Sequence, residues 1–175
     1  MTVGGLLFLM KGKRHAVGKE FTAETYTKEQ KTIITPFANK AGYTGVCTRQ
    51  QVRIKEHEEI ISEAGDQTHL RGWLRSLLPW NDFGLLYFSG YAINHYFTLP
   101  FSLADEAIDL EEVPSIKIGE EHCQGLRATY PDGFISHSKK EKFYFTPAGR
   151  LIRHDYKAEA VSPFAYGAHF STDYF

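Results

Sequence analysis

Residues Asn81–Ala104 read NDFGLLYFSGYAINHYFTLPFSLA, and this stretch decides how the rest of the chain is read. Asn81 and Asp82 offer an N-cap, Pro100 stands close to the far end, and the spacing between them predicts a helix over Phe83–Phe97. Phe83, Leu86, Tyr87 and Tyr91 share one stripe, yet Leu85, Phe88, Ile93 and Phe97 lie outside it. A helix that is apolar nearly all round needs cover on most sides. Gly84 and Gly90 lower its helix propensity and permit close approach of another backbone.

Strand patterns flank this segment on both sides. Before it, Val3–Met10, Glu20–Thr27, Lys31–Thr35, Tyr43–Thr48 and Gln50–His57 are rich in the β-branched and aromatic residues that suit a pleated surface. Val52 and Ile54 face one way, and Gln51, Arg53 and Lys55 the other. Gly12, Pro36 and Asn39–Gly42 mark breaks. Glu56–Ile61 fits either a continued strand or a helical turn. Leu70–Leu78 reads as a short helix stopped by Pro79. After the central segment, Asp105–Pro114 reads as an exposed acidic connection. Strands return over Gln124–Tyr130, Ser136–Phe145, Leu151–Ala158 and His169–Phe175. Pro131-Asp132-Gly133 is a turn, and Thr146–Arg150 is a hairpin loop with Gly149 in the left-handed region. The order of elements predicts one α+β domain of mostly antiparallel strands with a central helical insert.

Composition narrows the function. The chain has 175 residues, 42% of them hydrophobic and 23% charged, which excludes a disordered chain or a rod. A net charge of −1 gives it no global attraction to nucleic acid or an anionic membrane. The apolar run near the N-terminus is too short to span a bilayer, lacks a basic segment before it and reads as a buried strand. Cys47 and Cys123 form neither a CxxC pair nor a disulfide framework, which points to free, partly buried thiols in the cytoplasm.

No nucleophile elbow, P-loop or dinucleotide fingerprint occurs. The eight histidines (His15, His57, His69, His95, His122, His137, His154, His169) show no HxH, HxxxH or HExxH spacing. They read as scattered surface or core-rim residues, and neither a metal centre nor a cofactor is expected. Arg153-His154-Asp155-Tyr156 is the densest polar group. On a strand Arg153 and Asp155 share one face, and His154 and Tyr156 the other. Adjacent His122 and Cys123 point apart in the same way.

The helix supports two readings: plain core, or a lid over an apolar cavity. As a lid it supplies Tyr87, Tyr91, Asn94, His95 and Tyr96 as the few polar groups that orient a ligand. Phe101, Tyr144, His154 and Tyr156 complete the expected ligand-binding set. The leading expectation is a non-enzymatic binder of a hydrophobic small molecule, a lipid or isoprenoid. One alternative is an enzyme with His154, Tyr156, His137 or His95 as general acid or base. Another is an interaction module with a filled core, forming a homodimer through a sheet edge.

Two segments carry a resemblance. LLYFSGYAINHYFTLPF (Leu85–Phe101) and FYFTPAGRLIRHDY (Phe143–Tyr156) resemble an uncharacterised family of bacterial proteins. In that family a Gly-Tyr-Ala helix ends in Pro-Phe, and a glycine hairpin leads into Arg-His-Asp-Tyr. The overall pattern is similar to the lipoprotein-carrier (LolA/LolB-like) fold, whose members hold acyl chains; the resemblance implies a strongly curved open sheet, an incomplete β-barrel, wrapping the central helical insert. The resemblance implies a single domain over residues 1–175, lacking the family's N-terminal helix and C-terminal strands.

Overall fold

The structure, a computed structural model, describes residues 2–3, 11–13, 18–65, 78–157 and 169–170. Two residues of β1 (Thr2–Val3) pair with β2 (Lys19–Glu20). A five-stranded antiparallel meander follows: β3 (Thr22–Tyr26), β4 (Lys31–Thr35), β5 (Tyr43–Thr48), β6 (Gln51–Glu56) and β7 (Glu59–Gly65). The period-two pattern sets its inner face. Thr32, Ile34, Cys47, Val52 and Ile54 are buried, whereas Arg53 lies outward and pairs with Glu63. The ambiguous Glu56–Ile61 stretch is a hairpin. His57 and Glu58 take positive φ angles of 46° and 75°, the two-residue turn that suits the twist of paired strands.

Helix α1 spans Asp82–Thr98, close to the expected bounds. The Asn81 side chain accepts a hydrogen bond from the Gly84 backbone N–H at 2.8 Å. Leu99 is extended (ψ 143°), as a residue before proline prefers, and this stops the helix. A single 3-10 turn, Phe101–Ala104, follows.

The helix lies on the first sheet through two glycines. A Cβ on Gly45 of β5 would meet Leu86 at 2.6 Å, and one on Gly90 of α1 would meet the Cys47 Cβ at 2.3 Å. Thr32 Oγ1 donates to the Gly90 carbonyl at 3.0 Å. Leu85, Leu86, Tyr87, Tyr91 and Ile93 join Ile34, Cys47, Val52 and Ile54 in one core.

The second sheet contains β8 (Asp109–Ile118), β9 (Glu121–Thr129), β10 (Lys140–Phe145), β11 (Leu151–Asp155) and β12 (His169–Phe170), in the order β12-β11-β10-β9-β8 and antiparallel throughout. Its core joins Leu99 and Leu103 to Ala128, Tyr130, Phe134, Phe143 and Leu151. Gln30, in the β3–β4 turn, binds both the carbonyl and the N–H of Ile135, tying the first sheet to the loop before β10.

Two sequence expectations are corrected. Asp109–Pro114 is not a connection but half of an edge strand. Its acidic residues face solvent, Glu111 pairs with Arg127, and Pro114 sits at a register shift where a missing N–H costs little. Strand β10 begins only at Lys140, because Ser136–Lys139 bends instead of extending. The hairpin at Thr146–Arg150 is as expected, with Gly149 at φ 81°. Among the described residues the fold is α+β, mostly antiparallel, with two open five-stranded sheets beside the β1–β2 pair. The expected strand over Val3–Met10, helix over Leu70–Leu78 and strand over His169–Phe175 fall largely outside the described residues.

Close approach at Gly90 makes a direct prediction. Gly90→Ala should destabilise the protein by about 1–3 kcal/mol through overpacking, despite the roughly 1 kcal/mol by which alanine favours a helix over glycine. Gly65→Ala, whose Cβ meets nothing within 4 Å, should fall within about 0.5 kcal/mol of wild type in the same urea titration.

Candidate functional site

Strand register builds the centre of the site. On paired strands β10 and β11, Phe143 stands opposite His154. Glu141 lies two residues before Phe143, on the same face and diagonal to His154. Helix α1 brings His95 over this face from the other side. The Glu141 Oε2 atom accepts from His154 Nε2 at 2.7 Å and from His95 Nε2 at 2.9 Å. Its Oε1 accepts from the Ser138 backbone N–H at 3.0 Å, and the Tyr130 hydroxyl stands 3.5 Å from Oε2.

Aromatic rings fix the orientation of the imidazoles. Phe143 stacks on His154 at 4.4 Å, and Tyr156 stacks on His137 at 3.9 Å. The His95 ring lies 5.3 Å from His154 and 5.4 Å from His137, measured between centroids. Tyr96 and Tyr156 share a hydroxyl–hydroxyl hydrogen bond.

The side chain of Glu141 is 0% exposed, and those of His95 and His154 are 3% and 1%. Burial alone would push the Glu141 carboxyl up. The charge of His95 and hydrogen bonds from both imidazoles outweigh it and hold the carboxyl well below its ordinary 4.5. An ionised carboxylate only accepts, so both Nε2 atoms carry protons. Burial lowers the His154 pKa below its ordinary 6.5 against the pull of Glu141, so this ring is neutral at pH 7. Its Nδ1 is buried and makes no hydrogen bond among the described residues. No lysine or arginine among the described residues forms an ion pair with Glu141.

A cleft of about 320 Å³ reaches this centre at His95. Its walls come from the β3–β4 turn, the end of α1, the 3-10 turn and Phe134. Phe101, 85% exposed, stands in its wall, and Tyr96 and Phe97 are exposed on the same end of the helix.

The sequence-derived candidates separate into groups. His95, His154, Tyr96 and Tyr156 meet, and Phe101 and Asn94 line the cleft. Asn94 also donates to the carbonyls of Tyr26 and Lys31, bracing the β3–β4 hairpin. Tyr87 and Tyr91 are core residues, 1% exposed, although the Tyr91 ring touches His137. Tyr144 points away from the imidazoles, to the opposite face of β10, where Arg153 lies over its ring. Arg153 and Asp155 pair on that face as expected.

The reading of all histidines as scattered or peripheral is overturned. His95, His137 and His154 are buried together because three separate elements converge there. His57 and His122 are exposed; the side chains of His15, His69 and His169 lie outside the described residues. Sequence reasoning missed Glu141. The available signal was its place in KEKFYF, where period two sets an acidic residue on the face of Phe143. Cys47 and Cys123 are free and buried, and burial pushes the Cys47 thiol up to about 12, as inert thiols require.

The two shifts act in one direction on stability. Both groups bind protons less readily in the folded chain than in the unfolded one. The stability they contribute is therefore complete above pH 6.5, the ordinary His value. It falls first as the unfolded His154 takes up a proton, and again below pH 4.5 as Glu141 is protonated in the unfolded chain. The melting temperature should drop between pH 7.5 and 5.5, and His154→Phe should flatten that first limb in a scanning calorimetry series. No protein-family model, no curated protein and no solved structure matches this chain, so its own geometry carries the functional reading.

Proposed function

We propose that this protein binds a hydrophobic small molecule, a lipid or isoprenoid, without transforming it. The observation that carries the reading is the cleft at the end of α1: Phe101, Ala104 and Phe134 stand in a wall otherwise made of polar side chains, with the buried ring of His95 beneath and exposed Tyr96 and Phe97 on the same end of the helix. Ligand sites bring apolar contacts and fixed polar groups together in one cleft. Exposed Tyr96, Phe97 and Phe101 form an apolar rim within six residues of sequence, the kind of patch that marks an interaction site. In this reading the two sheets act as one curved, open wall of the LolA-like type. The helix is its lid, and the ligand's polar end meets His95. Tyr87 and Tyr91 fill the space between helix and first sheet, so the ligand enters at the helix's C-terminal end and not along its length.

No described helix is long and apolar enough to cross a membrane. Free buried thiols support a reducing compartment, the cytoplasm. The net charge of −1 argues against nucleic acid as the partner.

A second reading uses the same cleft for acid–base chemistry. It is favoured by the pairing of His95 with a buried carboxylate, the arrangement that holds an imidazole in one tautomer and orientation. Pairing of two copies through a sheet edge has less support. Strand β8, at one edge, carries exposed Asp109, Glu111 and Glu112 and a proline, features that block edge-to-edge association.

Native mass spectrometry of gently purified protein, with organic extraction, tests the proposal. A co-purifying apolar molecule near one per chain, or uptake of fatty-acid and isoprenoid probes after delipidation, is expected. Phe101→Ala should weaken probe binding roughly tenfold, since full burial of a phenyl ring is worth about 1.5–3 kcal/mol. A clean mass with no uptake rejects the proposal. Chemical conversion of a bound probe that His95→Gln abolishes would favour the enzyme.

A further inference from the structure

We propose that His95, Glu141 and His154 form a binding site for one divalent transition-metal ion of the zinc class. Each residue offers one ligand atom, and the three atoms lie within 4.8 Å of one another. Two imidazole nitrogens and one carboxylate oxygen are a donor set that zinc takes in open, three-ligand sites.

Charge provides the first argument. Glu141 is wholly buried, and its ion-pair partners among the described residues are both imidazoles. An isolated buried carboxylate is costly, so its charge must be balanced by a proton on an imidazole or by a cation. Both nitrogens already point at the oxygen an ion would share with them.

Geometry provides the second. The Nε2–Oε2 separations of 2.9 and 2.7 Å are hydrogen-bond distances. Around a tetrahedral ion with bonds of ~2.0–2.1 Å the ligand atoms stand roughly 3.3 Å apart. The two imidazole–carboxylate separations therefore need to open by about half an ångström, within reach of small side-chain rotations. Among the described residues only Glu141 holds His154 in its present tautomer, because its buried Nδ1 meets no hydrogen-bond partner there. Loading can move the Nε2 proton to Nδ1 or out to solvent.

The surroundings provide the third. Outer partners that orient metal ligands are already in place: the Ser138 N–H fixes the second carboxylate oxygen, and Phe143 fixes the plane of His154. The ligands come from a helix and two paired strands, which hold position better than loops. His95 also lines the cleft, giving an ion a way in and a fourth ligand a place.

The test uses the full, tag-free chain stripped with a chelator. Zn²⁺ is titrated by calorimetry, and Co²⁺ is followed by its visible d–d absorption. One ion per chain is expected, with the intense band of a low-symmetry four-coordinate site. His154→Gln and His95→Gln should each weaken Zn²⁺ binding by more than about 100-fold, beyond the 10–100-fold typical of outer-shell changes. His122→Gln, on an exposed ring of β9, should leave it unchanged. Absence of saturable binding overturns the proposal, as does affinity that survives both ligand substitutions. If those variants fail to fold, X-ray absorption of the zinc-loaded wild type decides. Two imidazoles with oxygen in the first shell uphold the site; a shell with fewer than two imidazoles overturns it.

Discussion

A single buried carboxylate ties this molecule together. Glu141 sits at 0% side-chain exposure and survives there as an anion only because donors surround it. One comes from helix α1, one from strand β11 and one from the bend before β10. The helix donor lies 46 residues from Glu141 in sequence, and none of the three can move without taking a donor from the carboxylate. Removing one partner of such a group commonly costs several kcal/mol, more than most apolar contacts. The position of α1 on the second sheet is thus governed by electrostatics as much as by packing.

On the first sheet the constraint is steric. Gly90 and Gly45 remove the side chains that would otherwise hold helix and strand apart, and Thr32 satisfies a helix carbonyl at the contact. The helix is consequently clamped by close apolar packing along its length and by hydrogen bonds near its C-terminal end. The aromatic surface it leaves uncovered, Tyr96, Phe97 and Phe101, is confined to that end. The cleft opens beside these residues because packing stops there: the helix ends at Leu99 and the chain turns away through Pro100.

Much of the fold was legible in local patterns. The bounds of α1, of β4 and of β5, the glycine hairpin at Thr146–Arg150 and the opposed faces of Arg153 and His154 all follow from periodicity, caps and turn chemistry over a few residues. The errors have equally local causes. Acidic β8 looked like a connection because an edge strand with one solvated face lacks an apolar signature. The first part of Ser136–Phe145 looked like a strand because its alternation is satisfied by buried serine and histidine in a bend.

By itself, then, the sequence determined most of the described element types, the antiparallel α+β class and the need to cover an almost wholly apolar helix, since each rests on interactions within a few residues. Only the tertiary structure decided which polar groups meet. His95 and Glu141 are 46 residues apart, and no spacing rule connects a helix position to a strand position across that distance. Their meeting depends on strand register and on the rotation of α1, and both are set by the whole packed core. The same cause put Tyr144 on the wrong face for the site and Tyr87 in the core, although composition made them equal to His95 as candidates.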